Sequence, residues 1–219
     1  MFNKRFECAE GNMDFVHANM LVKNIRFALI SLECIMDRQE IDFALYEDRH
    51  TYYFFHLQSL LTACGNICNV LCNEGRGNIR YRMENGRRIW LSTEIRQRSA
   101  RLRRILNVNR ADFDLIFQKE GRNTNEHFDE RYHEIVGGVG DYNIIDENTP
   151  IFVREQIEMT PHLRTYNKIE QRYITYKLNN NGVPVRLEYD LQRLRGQLNT
   201  LLGRVVENPI YTCGWLTEE

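Results

Sequence analysis

The sequence predicts a mainly helical protein, an antiparallel helical bundle with a small β-hairpin insertion before its last helix. Several segments repeat apolar residues at helical spacing, whereas residues 141–187 hold three of the four prolines and alternate apolar with polar residues. The 219 residues are 42% hydrophobic and 27% charged, which suits a globular chain with a substantial core. We therefore predict one domain over 1–219. Its bundle is formed by 13–136 and 189–206, and its β-containing insertion covers about 141–187.

Four segments before the insertion have the apolar periodicity of helices. They are residues 13–37, 49–73 and 92–107, and a segment from Asn123 to the glycines Gly137 and Gly138. Ser92 and Thr93 offer capping side chains at the start of the third helix. A loop is predicted between the second and third helices, because Gly75, Gly77 and Gly86 fall there.

The insertion contains one clear hairpin pattern. QRYITYKL (171–178) and VPVRLEY (183–189) flank NNNG, which predicts two antiparallel strands with a turn around Asn181 and Gly182. A last helix is predicted over 189–206, because six apolar residues recur on one face there: Leu191, Leu194, Leu198, Leu201, Leu202 and Val205.

Cysteine usage and hydropathy predict a cytoplasmic protein. No secretory signal is visible at the N-terminus, and the first apolar stretch carries His17, Lys23, Arg26 and Glu33, so it is not a membrane span. Six cysteines without such a signal fit a reducing compartment. Cys64, Cys68 and Cys72 share a helix face and are expected to be small buried hydrophobes rather than zinc ligands. We expect neither a metal nor a cofactor.

Positive charge is concentrated in one part of the chain. Residues 76–110 hold eleven arginines and two glutamates, a balance of +9, although the whole chain has a net charge of −1. Arginine contacts phosphate in a planar, bidentate manner. The run of Arg96, Arg98, Arg101, Arg103 and Arg104 is therefore a candidate RNA-backbone contact, with an ordinary solvated helix face as the alternative.

The segment GRNTNEHFDE (121–130) has two interpretations. Asn123 and Glu126 have the spacing of a capping box, which would make Arg122 and His127 incidental. Alternatively, His127 acts on an RNA 2′-hydroxyl as acid or base while Arg122 binds the phosphate, chemistry that needs no metal. An arginine followed five positions later by a histidine is common by chance. The catalytic interpretation therefore depends on the adjacent Asn123 and on the helical context.

Arg122-Asn123, three residues and His127, at the start of a late helix in a helical bundle, resemble the R-x4–6-H motif of the HEPN superfamily. The resemblance implies a metal-independent endoribonuclease of prokaryotic defence or toxin–antitoxin systems. In that family, two copies of the motif meet in a composite cleft at a two-fold axis. The resemblance implies that Arg122 and His127 are catalytic and that Asn123 is an accessory polar residue. It also implies that the products are a 2′,3′-cyclic phosphate and a 5′-hydroxyl. RNA, a second copy of the chain and an antitoxin or defence protein are the implied partners.

The sequence also departs from the family in places. One HEPN toxin group has a modifiable tyrosine two positions after the histidine, where this chain has Asp129. Two alternatives stay open: a non-catalytic HEPN-like module for nucleic-acid or nucleotide binding or for assembly, and a helical interaction protein without a nucleic-acid role. Four consecutive aromatic residues, Tyr52 to Phe55, could stack bases, but packing is the expected role.

Overall fold

A computed structural model describes residues 2–36, 49–72, 81–118, 164–167, 170–179 and 184–213. This part of the chain is mainly helical, with two small antiparallel sheets. The mainly helical class and the presence of a β-hairpin before the last long helix agree with the sequence prediction.

Four of the described helices overlap predicted segments, and a short fifth helix was not predicted. They are α1 (Phe2–Met36), α2 (Arg49–Leu71), α3 (Leu91–Ile105), α4 (Leu191–Val206) and the short α5 (Pro209–Cys213). α1 begins well before the expected residue 13. α3 begins one residue early, and its N-cap residue is Trp90 with no side-chain capping hydrogen bond, so the capping role predicted for Ser92 and Thr93 is wrong. The helix predicted from Asn123 lies outside the described residues.

The hairpin predicted near the C-terminus is confirmed. β4 (Arg172–Leu178) and β5 (Pro184–Asp190) pair antiparallel, with Tyr173 opposite Tyr189. β3 (Arg164–Asn167), which the sequence did not predict, pairs with the other edge of β4, so the sheet order is β3-β4-β5. Residues 141–163 of the predicted insertion, and the turn predicted around Asn181 and Gly182, lie outside the described ranges.

A second hairpin replaces part of the predicted glycine-containing loop. β1 (Tyr81–Glu84) and β2 (Arg87–Trp90) pair antiparallel and are joined by the two-residue turn Asn85-Gly86. Asn85 has φ 50° and Gly86 has φ 77°. A two-residue turn of this kind needs positive φ at both positions, which asparagine and glycine tolerate best.

The chain divides into two compact units, and the first comprises Met1–Phe27, Ala63–Phe117 and Gln197–Glu219. Side-chain contacts join its helices in pairs. Arg101 on α3 forms an ion pair with Asp14 on α1 at 2.7 Å, and Ser99 donates to the Val70 carbonyl of α2 at 2.9 Å. On α4, Gln197 donates to Asp114 at 2.7 Å and is itself buried. These polar contacts fix the order in which the helices meet, which apolar burial alone does not specify.

The second unit comprises Ala28–Thr62 and Gln118–Gly196, and tyrosines pack beside leucines in its described core. The Tyr53 ring lies 5.5 Å from the ring of Tyr166, whose hydroxyl donates to the Ile35 carbonyl. Tyr173 and Tyr189 are almost fully buried as a cross-strand pair with centroids 5.9 Å apart. Aromatic pairs at these distances add to the stabilisation from burial. One domain over 1–219 remains a prediction.

No helix within the described ranges is long and apolar enough to cross a membrane.

Candidate nucleic-acid interface

The three residues predicted to be catalytic, Arg122, Asn123 and His127, lie outside the described residues. The part of the candidate site that the structure does describe is the basic segment that precedes them. It comprises the β1–β2 hairpin and helix α3.

One face of the β1–β2 hairpin is exposed and carries two aromatic side chains. The register pairs Tyr81 with Trp90 and Met83 with Arg88, which places these four side chains on the same face of the two-stranded sheet. Tyr81 is 45% exposed, Met83 61% and Trp90 42%, and Arg88 is exposed as well. We call this set the hairpin face.

The side chains of the hairpin face touch one another. The rings of Tyr81 and Trp90 meet edge to face with centroids 5.4 Å apart. The Arg88 guanidinium carbon lies 4.8 Å from the centre of the Tyr81 ring, within the range of a cation–π contact. An exposed aromatic pair next to a guanidinium can stack a nucleic-acid base and bind the adjoining phosphate.

The five arginines predicted to contact RNA differ in exposure and in the contacts that they make. Arg96 and Arg104 are exposed, as is Arg87 in the hairpin. Arg101 is engaged by Asp14, and Arg103 donates through Nη1 to the Leu71 carbonyl at the end of α2.

Arg98 is half-buried, and burial lowers its pKa. Arg98, Arg101 and Arg103 are thus partly buried, whereas Arg96 and Arg104 are exposed, and contact of the five with RNA stays a prediction.

The three cysteines that recur every fourth residue are buried, as the sequence predicted. Cys64, Cys68 and Cys72 are buried free thiols, and burial raises the pKa of Cys64 to about 12. Cys72 differs, because a hydrogen bond from Cys68 and the positive charges of Arg110 and Arg103 lower its pKa to about 6. The Arg103 Nη1 lies 3.7 Å from the Cys72 sulfur. The described part of the chain places no three metal-ligating side chains together.

The aromatic start of α2 is mostly packed. Tyr52 and Tyr53 are buried, whereas Phe55 is 54% exposed. His56 contacts the rings of Tyr52 and Phe55, and burial lowers its pKa. The packing role expected for Tyr52 and Tyr53 is confirmed.

His17 makes folding stability sensitive to pH. It is 6% exposed, and a ring N–H donates from Nδ1 to the Met13 carbonyl at 2.6 Å. Burial lowers its pKa from 6.5, and the charge of Arg98 acts in the same direction. Below pH 6.5 the unfolded chain therefore binds a proton more readily than the folded chain does, and stability falls as the pH falls.

Melting temperature followed from pH 7.5 to pH 5 tests this effect. We expect the wild type to lose stability across that window more steeply than His17→Gln, which does not titrate. Equal slopes for the two proteins would contradict the assignment to His17.

Comparisons with protein-family models, with curated proteins and with solved structures find no match.

Residue patterns did not predict the hairpin face. The dipeptide Asn85-Gly86 is a strong signal for a two-residue hairpin turn, but Arg87-Arg88-Ile89-Trp90 does not alternate apolar and polar residues as a half-buried strand does.

Proposed function

We propose that this chain is a HEPN-type endoribonuclease that cleaves single-stranded RNA without a metal ion. In this proposal the helices form a HEPN-like antiparallel bundle, and two copies of the chain bring their RNTNEH segments together in one cleft. The proposal is supported by the motif in the sequence, and within the described residues by the hairpin face. Among the described residues, the hairpin face is the observation that favours RNA as the ligand, because it combines exposed aromatic rings with an arginine.

The proposed reaction uses groups of this chain alone. His127 accepts the proton of the RNA 2′-hydroxyl, and the resulting oxygen attacks the adjacent phosphorus. Arg122 binds two phosphate oxygens and stabilises the negative charge that builds up on them. The bond to the 5′-oxygen breaks and this oxygen takes up a proton from an imidazolium. The products are a 2′,3′-cyclic phosphate and a 5′-hydroxyl.

End-group analysis tests this reaction. Purified protein is incubated with a 5′-labelled single-stranded RNA in the presence of EDTA. We expect fragments that end in a cyclic phosphate, and no change in rate when EDTA is replaced by Mg²⁺. Cleavage that EDTA abolishes, or fragments with a 3′-hydroxyl, would contradict the proposal.

The hairpin face gives a prediction about binding that does not need turnover. In a His127→Ala background, which prevents cleavage, Trp90→Ala is expected to weaken binding of single-stranded RNA about tenfold, because one stacked base is lost. Fluorescence anisotropy at a fixed salt concentration measures the effect. Phe55→Ala is the matched control, since Phe55 is a similarly exposed aromatic residue on another element.

Two comparisons sharpen this measurement. Binding of double-stranded RNA should change little in Trp90→Ala, because paired bases cannot stack on the ring. Arg88→Ala should weaken binding of both RNAs and reduce the dependence of affinity on salt. If Trp90→Ala and Phe55→Ala have the same effect, the hairpin face is not the RNA site.

A binding module without catalysis is the second candidate, because the hairpin face supports binding whether or not cleavage follows. Tight binding of single-stranded RNA that depends on Trp90, with no cleavage under any condition, would favour it.

A further inference from the structure

Helix α1 carries a second apolar face that the described part of the chain leaves exposed. The exposed residues are Met13 at 52%, Val16 at 48%, Met20 at 44%, Phe27 at 62% and Ile30 at 55%. They follow one another at spacings of three and four residues, and Lys23 fills the position between Met20 and Phe27. This is the spacing of a and d positions in a heptad repeat, the pattern by which two helices pair. We call it the α1 row.

The α1 row is separate from the face by which α1 joins the core. Leu21, Ile25 and Leu32 are fully buried, and they lie on a different side of the helix from the row. A surface helix needs one apolar stripe to pack on its own domain, and α1 has two. A continuous exposed apolar surface of this kind marks an interaction site more often than chance exposure does.

The neighbours of the row hold α1 in place. Asn24, at the edge of the row, donates to the Met20 carbonyl at 2.8 Å and accepts a hydrogen bond from Asn66 of α2 at 3.1 Å. The row therefore lies on a helix that this contact with α2 holds in place.

We infer that the α1 row binds the same row of a second copy of this chain, with the two helices antiparallel. A two-fold axis that passes between Met20 and Lys23 places Met20 against Lys23 of the second copy and Val16 against Phe27. Met13 then meets Ile30, so every position of the row finds an opposing position of the row.

The charge of Lys23 selects this orientation. A parallel pair would place the two Lys23 ammonium groups against each other at the centre of the seam, and like charges there are destabilising. In the antiparallel pair the aliphatic stem of Lys23 covers Met20, and its ammonium group reaches the solvent at the edge.

The area of the row lies at the lower limit for a specific pairing of two copies. Half-exposed side chains of this size each present on the order of 100 Å², so the row presents on the order of 500 Å² per copy. A standard stable interface buries about 800 Å² per partner. The stems of Lys23 and Arg26, both exposed on α1, supply further contact along the edges.

The mass of the protein in solution tests the inference. Light scattering after gel filtration, at micromolar concentration, should show a dimer for the wild type. Phe27→Glu should weaken dimerisation roughly 100-fold, because a carboxylate would be buried without a partner in the seam. Phe55→Glu is the matched control, an equally exposed phenylalanine on α2, and it should leave the dimer intact. A monomeric wild type, or a dimer that Phe27→Glu does not weaken, overturns the inference.

A photo-crosslink tests the orientation. With benzoylphenylalanine in place of Phe27, the antiparallel pair predicts intermolecular crosslinks near Val16, whereas a parallel pair predicts crosslinks near residue 27 and would overturn the antiparallel assignment. The inference does not rest on the proposed ribonuclease. A dimer that never cleaves RNA overturns the activity alone, and a dimer that cleaves RNA and is not weakened by Phe27→Glu overturns the α1 pairing alone.

Discussion

His127→Ala is expected to lower the rate of RNA cleavage by about 10²- to 10⁴-fold, the usual contribution of a positioned general acid or base. The loss should appear in kcat and not in the affinity for RNA, because the hairpin face and the exposed arginines hold the substrate. Single-turnover cleavage of a labelled RNA, alongside anisotropy on the same RNA, separates the two quantities.

His133→Ala is the matched control for this substitution, since His133 lies six residues further along the same segment. It should cleave at the wild-type rate. Arg122→Ala should match His127→Ala, and Arg122→Lys should recover little of the loss, because lysine cannot bind two phosphate oxygens with one planar group. The assignment is wrong if the wild type cleaves without metal and His127→Ala cleaves equally fast.

The second large effect concerns stability. Asp14→Ala is expected to lower the free energy of unfolding by about 3 kcal/mol, because it leaves the buried end of Arg101 without its carboxylate. The Asp14 side chain is 11% exposed and that of Arg101 31%, so solvent only partly replaces the lost partner. For a chain of this size the melting temperature should fall by about 10 °C.

Asp112→Ala controls for the loss of one negative charge, since Asp112 is an exposed carboxylate in the same unit. It should melt within a degree or two of the wild type. Arg101→Ala should also destabilise the protein, while its RNA affinity at a temperature where it is folded stays unchanged. An Arg101→Ala protein with wild-type stability and weakened RNA binding would indicate that Arg101 contacts RNA.

Local sequence patterns predicted most of the described helices. α2 and α4 fall within a few residues of the predicted bounds, because apolar residues at helical spacing mark the buried face of such helices. The start of α1 at Phe2 was not predicted, because FNKRFECAEGN (2–12) shows no such periodicity. The β1–β2 hairpin was not predicted for a related reason. Asn85-Gly86 marks its turn, but the residues of β2 do not alternate apolar with polar, and its large apolar side chains Tyr81, Met83 and Trp90 are exposed.

The roles of the arginines could not be derived from spacing. Asp14 and Arg101 are 87 positions apart. Nothing in the local pattern distinguishes Arg101 from Arg104, although one is engaged by a carboxylate and the other is exposed. Such roles depend on which helices become neighbours, and that is set by packing over the whole unit. For Arg122, Asn123 and His127 the sequence motif remains the only support.

The direct junction between β2 and α3 has a consequence for the entropy of binding. Trp90 is the last residue of the strand and the N-cap of the helix, so no linker separates the hairpin face from α3. An isolated two-stranded hairpin is only marginally stable in water. Attachment to a helix held by the Asp14–Arg101 pair orders the rings of Tyr81 and Trp90 before any base arrives. A preorganised surface loses little conformational freedom on binding, so more of the stacking energy remains as affinity.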